Sequence, residues 1–260
     1  MRRILSGSIY VLSAIIGILA FINPFITPVF LHGPAGMFEP QNVPLLTTTL
    51  IGLSVVALVV EVQDTMLSAK TIALMGLLVA VTSVLRFVEV ALPLPGGFSP
   101  IFVPIIISGY VFGARFGYLM GVLTLLVSAL ITGGVGPWLP YQMFAAGWSG
   151  AAAGWLPHTK KRLEIALLCM FGFLWGVLYG IIINLYFWPL IQGSPAQTYV
   201  EGLGFWDIIS RYASFYTVTS LWWDLIRGVG NVAMLLLLAA PMLKILYRFQ
   251  KRFNFEVAHD

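Results

Sequence analysis

Apolar residues run along this chain in long blocks, separated by short clusters of glycine, proline and charge. Blocks of about 20 apolar residues are the length of a bilayer-crossing helix, and about eight of them are present. They cover residues 8–30, 44–61, 70–91, 100–113, 115–133, 141–157, 163–189 and 221–247. The fourth is too short for a straight crossing. It is divided from the fifth only by Gly113-Ala114-Arg115-Phe116-Gly117, a tight turn with a glycine at each end. The pattern predicts an all-α fold: a polytopic integral membrane helical bundle with no separate soluble domain.

Between 190 and 220 the pattern changes. Tyr199, Leu203, Trp206, Ile209 and Tyr212 fall on one predicted helical face. Asp207 and Arg211 stand four apart, a spacing that permits an ion pair. This segment is expected to be an amphipathic helix lying at the membrane surface. It serves either as a lid over a site or as a connector.

Composition agrees with the pattern. The chain of 260 residues is 59% hydrophobic and 9% charged, with mean hydropathy +0.94. Its net charge of +4 would be compatible with a nucleic-acid partner, but the basic residues sit at span ends, where they set orientation. With the N-terminus in the cytoplasm, Arg2, Arg3, Lys70, Arg115, Lys160, Lys161, Arg162, Lys244, Arg248, Lys251 and Arg252 all lie inside. The outer loops then hold only Arg211, so both termini are expected to be cytoplasmic. The first apolar run reaches Phe30 and lacks a small-x-small cleavage site, which argues against a signal peptide. Cys169 is the single cysteine, so no intrachain disulfide forms. His32, His158 and His259 fall in loops or tails, and no metal site or cofactor is expected.

Ionisable residues inside spans are expensive and face a partner, a cavity or a water path. Arg86 and Glu89 are three apart, and Asp224, Arg227 and Asn231 follow at i, i+3 and i+7; each set shares a helix face. They read either as ion pairs that fix packing or as the polar wall of a ligand site. The segment Gly133 to Met143 is a charge-free Gly/Pro/aromatic turn. Trp138 and Tyr141, with Tyr186, Trp188, Trp222 and Trp223, lie near outer span ends, where an aromatic belt forms. The amides Gln142 and Asn184 have no place in such a belt. Apolar walls with a few polar fixtures suit a small organic ligand.

Enzymatic readings fare worse. Gly147-Trp148-Ser149-Gly150 matches the nucleophile motif of rhomboid proteases, but no histidine falls in a span to serve as base. The small residues of 145–154 fit tight helix packing better. No phosphate-binding Gly-rich loop with Lys-Ser/Thr exists, so ATP hydrolysis would fall to another subunit.

Several segments together carry a family resemblance: Lys70 to Ala80 running into Leu85-Arg86, Pro95-Gly96-Gly97-Phe98-Ser99-Pro100, Phe112 to Gly117, Gly136-Pro137-Trp138 with Gln142-Met143, and Trp223 to Asn231 ending in Pro241-Met242-Leu243-Lys244. In order and spacing they resemble the substrate-binding (S) subunits of energy-coupling factor (ECF) transporters. The resemblance implies a six-helix membrane core, placed at residues 62–250; the transmembrane hairpin at 1–61, read from apolar length, is a departure from the family pattern, and a tail at 251–260 follows the core. The resemblance implies capture of a vitamin-like nutrient at the outer face; the length of the 190–220 loop suits a bulky ligand and makes cobalamin one candidate. It implies a separate transmembrane scaffold subunit and two ATPases as partners, and a multi-pass location in the plasma membrane. Gly76 and Ala80 match the small residues by which the family's first core helix docks on the scaffold. The expected ligand contacts are Arg86, Glu89, Trp138, Tyr141, Gln142, Asn184, Asp224, Arg227 and Asn231. Two further readings are a membrane scaffold or assembly protein without a small ligand, and an intramembrane serine protease.

Overall fold

A computed structural model describes residues 12, 15–22, 52, 69–92, 97–160, 162–191, 193–200 and 203–255. The expected hairpin at 1–61 falls largely outside the described residues, as do residues 256–260 of the tail, His32 and His259. Every described element is helical. In chain order they are α1 (Ala69–Ala91), α2 (Phe102–Phe112), α3 (Ala114–Thr132), α4 (Leu139–Ala153), α5 (Arg162–Phe187), a 3-10 turn (Trp188–Leu190), α6 (Phe205–Thr219) and α7 (Leu221–Phe255).

Among the described residues, four stretches are long and apolar enough to cross a membrane: Ala69–Ala91, Ala114–Thr132, Arg162–Leu190 and Leu221–Arg252. The run at 100–113 becomes the 11-residue α2, short of a straight crossing as its length predicts. The run at 141–157 ends early, at Ala153. Gly154 breaks the helix and Pro157 lies in the turn that follows.

The residues divide into two compact units. One takes the described residues up to 65 with 136–142 and 180–222; the other takes those of 66–135, 143–179 and 223–260. In the second unit, α1 and α2 both pack against α3. The α2–α3 turn is narrower than expected. Gly113 alone makes it, at φ +93°, a conformation only glycine adopts easily. Gly117 is already inside α3 and has a different task. Gly109, Gly117 and Gly150 bring the backbones of α2, α3 and α4 into direct contact, and Gly121 does the same against Ala146. The small residues of 145–154 therefore pack helices, as their composition predicts.

In the first unit, the segment at 188–219 is held by its own core. Trp188 is 1% exposed, beside buried Ile208 and Phe215, with Tyr199, Leu203 and Tyr212 packed around them. The indole N–H of Trp188 donates to the carbonyl of Gln197 (2.7 Å), and the Tyr212 hydroxyl donates to that of Ile181. The helix expected here is present as α6, but its buried face differs. Ile208, not Ile209 or Trp206, enters the core; Trp206 is 77% exposed. Arg211 donates to the carbonyls of Pro195 (2.6 Å) and Thr198 (3.2 Å) instead of pairing with Asp207. The fixed carbonyls of the 194–198 turn hold the guanidinium, and helical spacing alone does not create an ion pair.

Candidate functional site

The second unit gathers the two charged sets around one ring. Arg86 and Glu89 form an ion pair on α1, and the Ser99 hydroxyl donates to the other oxygen of Glu89 (2.7 Å). Asp224 and Arg227 form an ion pair on α7. The Arg227 Nε–H donates to the carbonyl of Gly97 (3.1 Å) and an NH1 hydrogen is directed at that of Gly176 (3.3 Å). The same guanidinium lies 5.4 Å from the centre of the Tyr179 ring, a cation–π geometry. Glu89 lies within electrostatic range of both arginines, and Tyr179 within range of all four charges. The pairs separated by about 140 residues of sequence are thus one network with no net charge.

Local structure explains how such groups converge. Gly97 has φ +66°, and a Cβ there would come 2.9 Å from the carbonyl of Trp223. Only glycine lets the 97–100 stretch lie this close to α7. Gly176 and Gly228 are in backbone contact, a Cβ on Gly176 falling 2.7 Å from the Cα of Gly228, which brings Tyr179 of α5 beside Arg227. One turn along α7, the Asn231 amide N–H donates to the carbonyl of Gly172 (2.9 Å). Since only its nitrogen can donate, its oxygen is the atom left to accept, and no partner for that buried oxygen is present among the described residues.

Arg86, Glu89, Asp224 and Arg227 are therefore brought together, with Asn231 adjoining them along α7. Tyr179, Ser99, Gly97 and Gly176 belong to the same network and are additions to the residues read from the sequence. A faint signal existed for Gly176 and Tyr179: together with Gly172 they share a face of α5 at i, i+4 and i+7.

Trp138, Tyr141, Gln142 and Asn184 belong to the other unit. Tyr141 is buried, with its ring 4.3 Å from that of Tyr186 and edge-on to Phe21 at 5.0 Å. Trp138 is partly exposed and folds back over Gly136. Gln142 is half-buried. The Asn184 amide donates to the carbonyl of Gly180 (2.9 Å), one turn back on its own helix.

Gly76 and Ala80 lie on an exposed face of α1, and a Cβ at Gly76 would meet nothing within 4 Å. Ser149 of the protease-like motif is fully buried, flanked by Gly150 in contact with Gly117. His158 is stacked on Tyr110 at 4.6 Å. Among the described residues no group of His, Cys, Asp or Glu could hold a metal.

Membrane-crossing helices and a charge network within them define a multi-pass membrane protein with polar chemistry inside the spans. The family model for the ECF transporter substrate-specific component matches residues 70–239. The chain belongs to that family. No curated protein and no solved structure matches it. It is accordingly the substrate-specific component of an ECF importer in the plasma membrane. Such components bind substrate for transport and are not enzymes; they work with scaffold and ATPase subunits.

Proposed function

We propose that the network around Tyr179 forms part of a site that captures a vitamin-like micronutrient at the extracytoplasmic face. The observation that carries this reading is the meeting of two ion pairs from α1 and α7 on one aromatic ring inside an apolar protein. Intramembrane charges of this kind mark ligand and ion paths. Arg86, Glu89, Asp224, Arg227 and Asn231 supply the polar contacts of this site; Trp138 and Tyr141 as aromatic contacts, and Gln142 and Asn184 as amide contacts, are proposed for the other unit taken by itself. Both termini are cytoplasmic on the distribution of Lys and Arg. A corrinoid such as cobalamin is the substrate class to test first.

The test begins with native mass spectrometry of the purified full chain for a co-purified ligand, followed by calorimetric titration with cyanocobalamin. Two variants accompany it: Gln142→Ala, and the paired Arg86→Gln/Glu89→Gln, which leaves no lone charge. Loss of hydrogen bonds to charged groups predicts about tenfold or greater weakening in the paired variant. Parent-like affinity in both variants removes these residues from the site. Absence of any bound small molecule in the purified protein and of titratable binding, across corrinoids and other vitamins, favours the purely structural reading. The engagement of Nε and NH1 of Arg227 by Gly97, Gly176 and Asp224 is the observation on that side.

The exposed Gly76 and Ala80 face of α1 is the proposed dock for the transmembrane scaffold. Small residues let two helices approach closely, and their replacement by large ones blocks the approach. Gly76→Leu/Ala80→Leu is expected to abolish co-purification with the scaffold and the ATPases while leaving ligand binding intact. Normal assembly in this variant would place the dock elsewhere.

A further inference from the structure

The last turns of α7 carry a basic stripe that the substrate site does not use. Lys244, Arg248, Lys251 and Arg252 recur at i, i+4, i+7 and i+8, so they share one helical face, and all four are exposed. No acidic residue occurs between Lys244 and Phe255. The opposite face is fixed to the rest of its unit. Leu243 and Leu246 are buried, the Tyr247 hydroxyl donates to Glu164 (2.6 Å), and the Gln250 amide donates to the carbonyl of Val111 (2.6 Å). The helix cannot roll to hide its charges, and the neighbouring carboxylate of Glu164 is already engaged by Tyr247.

Length sets where the stripe lies. The helix has 35 residues. At about 1.5 Å per residue it measures roughly 50 Å, against a hydrocarbon core of about 30 Å. Its start at Leu221 is the end near the charge network, so the excess falls at the Lys244–Phe255 end. With the charge-free run 228–243 in the hydrocarbon, that end is expected at the depth of lipid headgroups. Exposed Ile245 flanks the stripe and offers an apolar contact to an acyl chain.

We propose that this stripe is a docking face for anionic phospholipid headgroups of the adjoining leaflet. The chemistry is complementary: two guanidiniums and two ammoniums on a fixed helix meet phosphodiesters, which arginine binds through paired N–H donors. Clusters of Lys and Arg beside a membrane span attract acidic lipid. The inference rests on the membrane-spanning fold and not on the substrate site, so its failure leaves that site untouched.

The experiment uses the purified full chain equilibrated with equal amounts of phosphatidylglycerol and phosphatidylcholine, with retained lipid read by native mass spectrometry. The parent is expected to retain phosphatidylglycerol in preference. In Lys244→Gln/Arg248→Gln/Lys251→Gln/Arg252→Gln that preference should fall at least about fivefold, since each basic residue near the surface contributes measurably. A second variant, Arg248→Lys/Arg252→Lys, keeps the charge and should keep most of the preference; it guards against simple misfolding. Equal preference in parent and quadruple variant, or none in the parent, overturns the proposal. Unchanged lipid preference with lost co-purification of the scaffold and ATPases also overturns it, and assigns the stripe to an acidic protein surface.

Discussion

Replacing Arg227 by alanine is expected to destabilise the protein by about 3–5 kcal/mol, the range found when one partner of a buried ion pair is removed. Asp224 is buried, with its side chain 3% exposed, and would lose the guanidinium that offsets the cost of its burial. Three further contacts disappear with Arg227: the hydrogen bonds to the carbonyls of Gly97 and Gly176, and the cation–π contact with Tyr179. The first ties the 97–100 stretch to α7, so the loss reaches beyond one helix. The control is Asp224→Leu/Arg227→Leu. Removing both charges together replaces the pair by apolar groups in an apolar setting, and such replacement is often neutral. The double variant should therefore recover much of the loss. Thermal unfolding in detergent, with reversible denaturant titration where it can be obtained, gives both numbers. A single variant as stable as the parent would show that the pair does not hold the fold. This expectation also bears on ligand tests. Arg227 is an expected ligand contact, but the burial of Asp224 makes Arg227→Ala a stability mutation first.

How much of this was legible before the structure depends on which force acts. Helix positions followed from apolar length, and α1, α3, α5 and α7 lie where the hydropathy places them. The pairings Arg86–Glu89 and Asp224–Arg227 followed from helical spacing. The meeting of those pairs was a guess from depth, because sequence fixes which residues share a face but not which faces meet. Tyr179 was missed for that reason: one tyrosine in an apolar run carries no mark until α5 and α7 are side by side at Gly176 and Gly228. Ser99 and Gly97 sit in a short loop whose path periodicity cannot trace. On α6, Tyr212 packs on the core as its spacing predicts, but Ile208 and Phe215 accompany it instead of Trp206 and Ile209, since several apolar residues around the helix give competing stripes. Trp188 decides between them by occupying the centre of the cluster. The ion pair that spacing permits between Asp207 and Arg211 gives way to backbone carbonyls of a turn, which hold Arg211 in place of an exposed carboxylate.

The glycines of the second unit yield the sharpest contrast, since one substitution type should act with opposite signs at two helical sites. Gly117→Ala is expected to cost about 3 kcal/mol or more, at the upper end of overpacking. A Cβ there would stand 2.5 Å from the carbonyl carbon of Gly150 and 2.6 Å from the Cα of Gly109. Those atoms are backbone, so no side-chain rotation relieves the clash, and α2, α3 and α4 must separate. Separation opens gaps along buried Ile106, Tyr110, Met120 and Phe144, which lose packing contacts in turn. Gly76→Ala meets nothing within 4 Å on the exposed face of α1. There the only term is helix propensity, which favours alanine over glycine by about 0.8–1.0 kcal/mol. That gain assumes the isolated subunit; in the assembled transporter the proposed dock would place a second helix against the same atom. Thermal unfolding of the two variants, measured alone and after assembly with the scaffold, separates the effects. A lowered midpoint for Gly117→Ala and a raised one for Gly76→Ala in the isolated subunit is the expected pattern. Equal midpoints would mean that the three helices do not touch through their glycines.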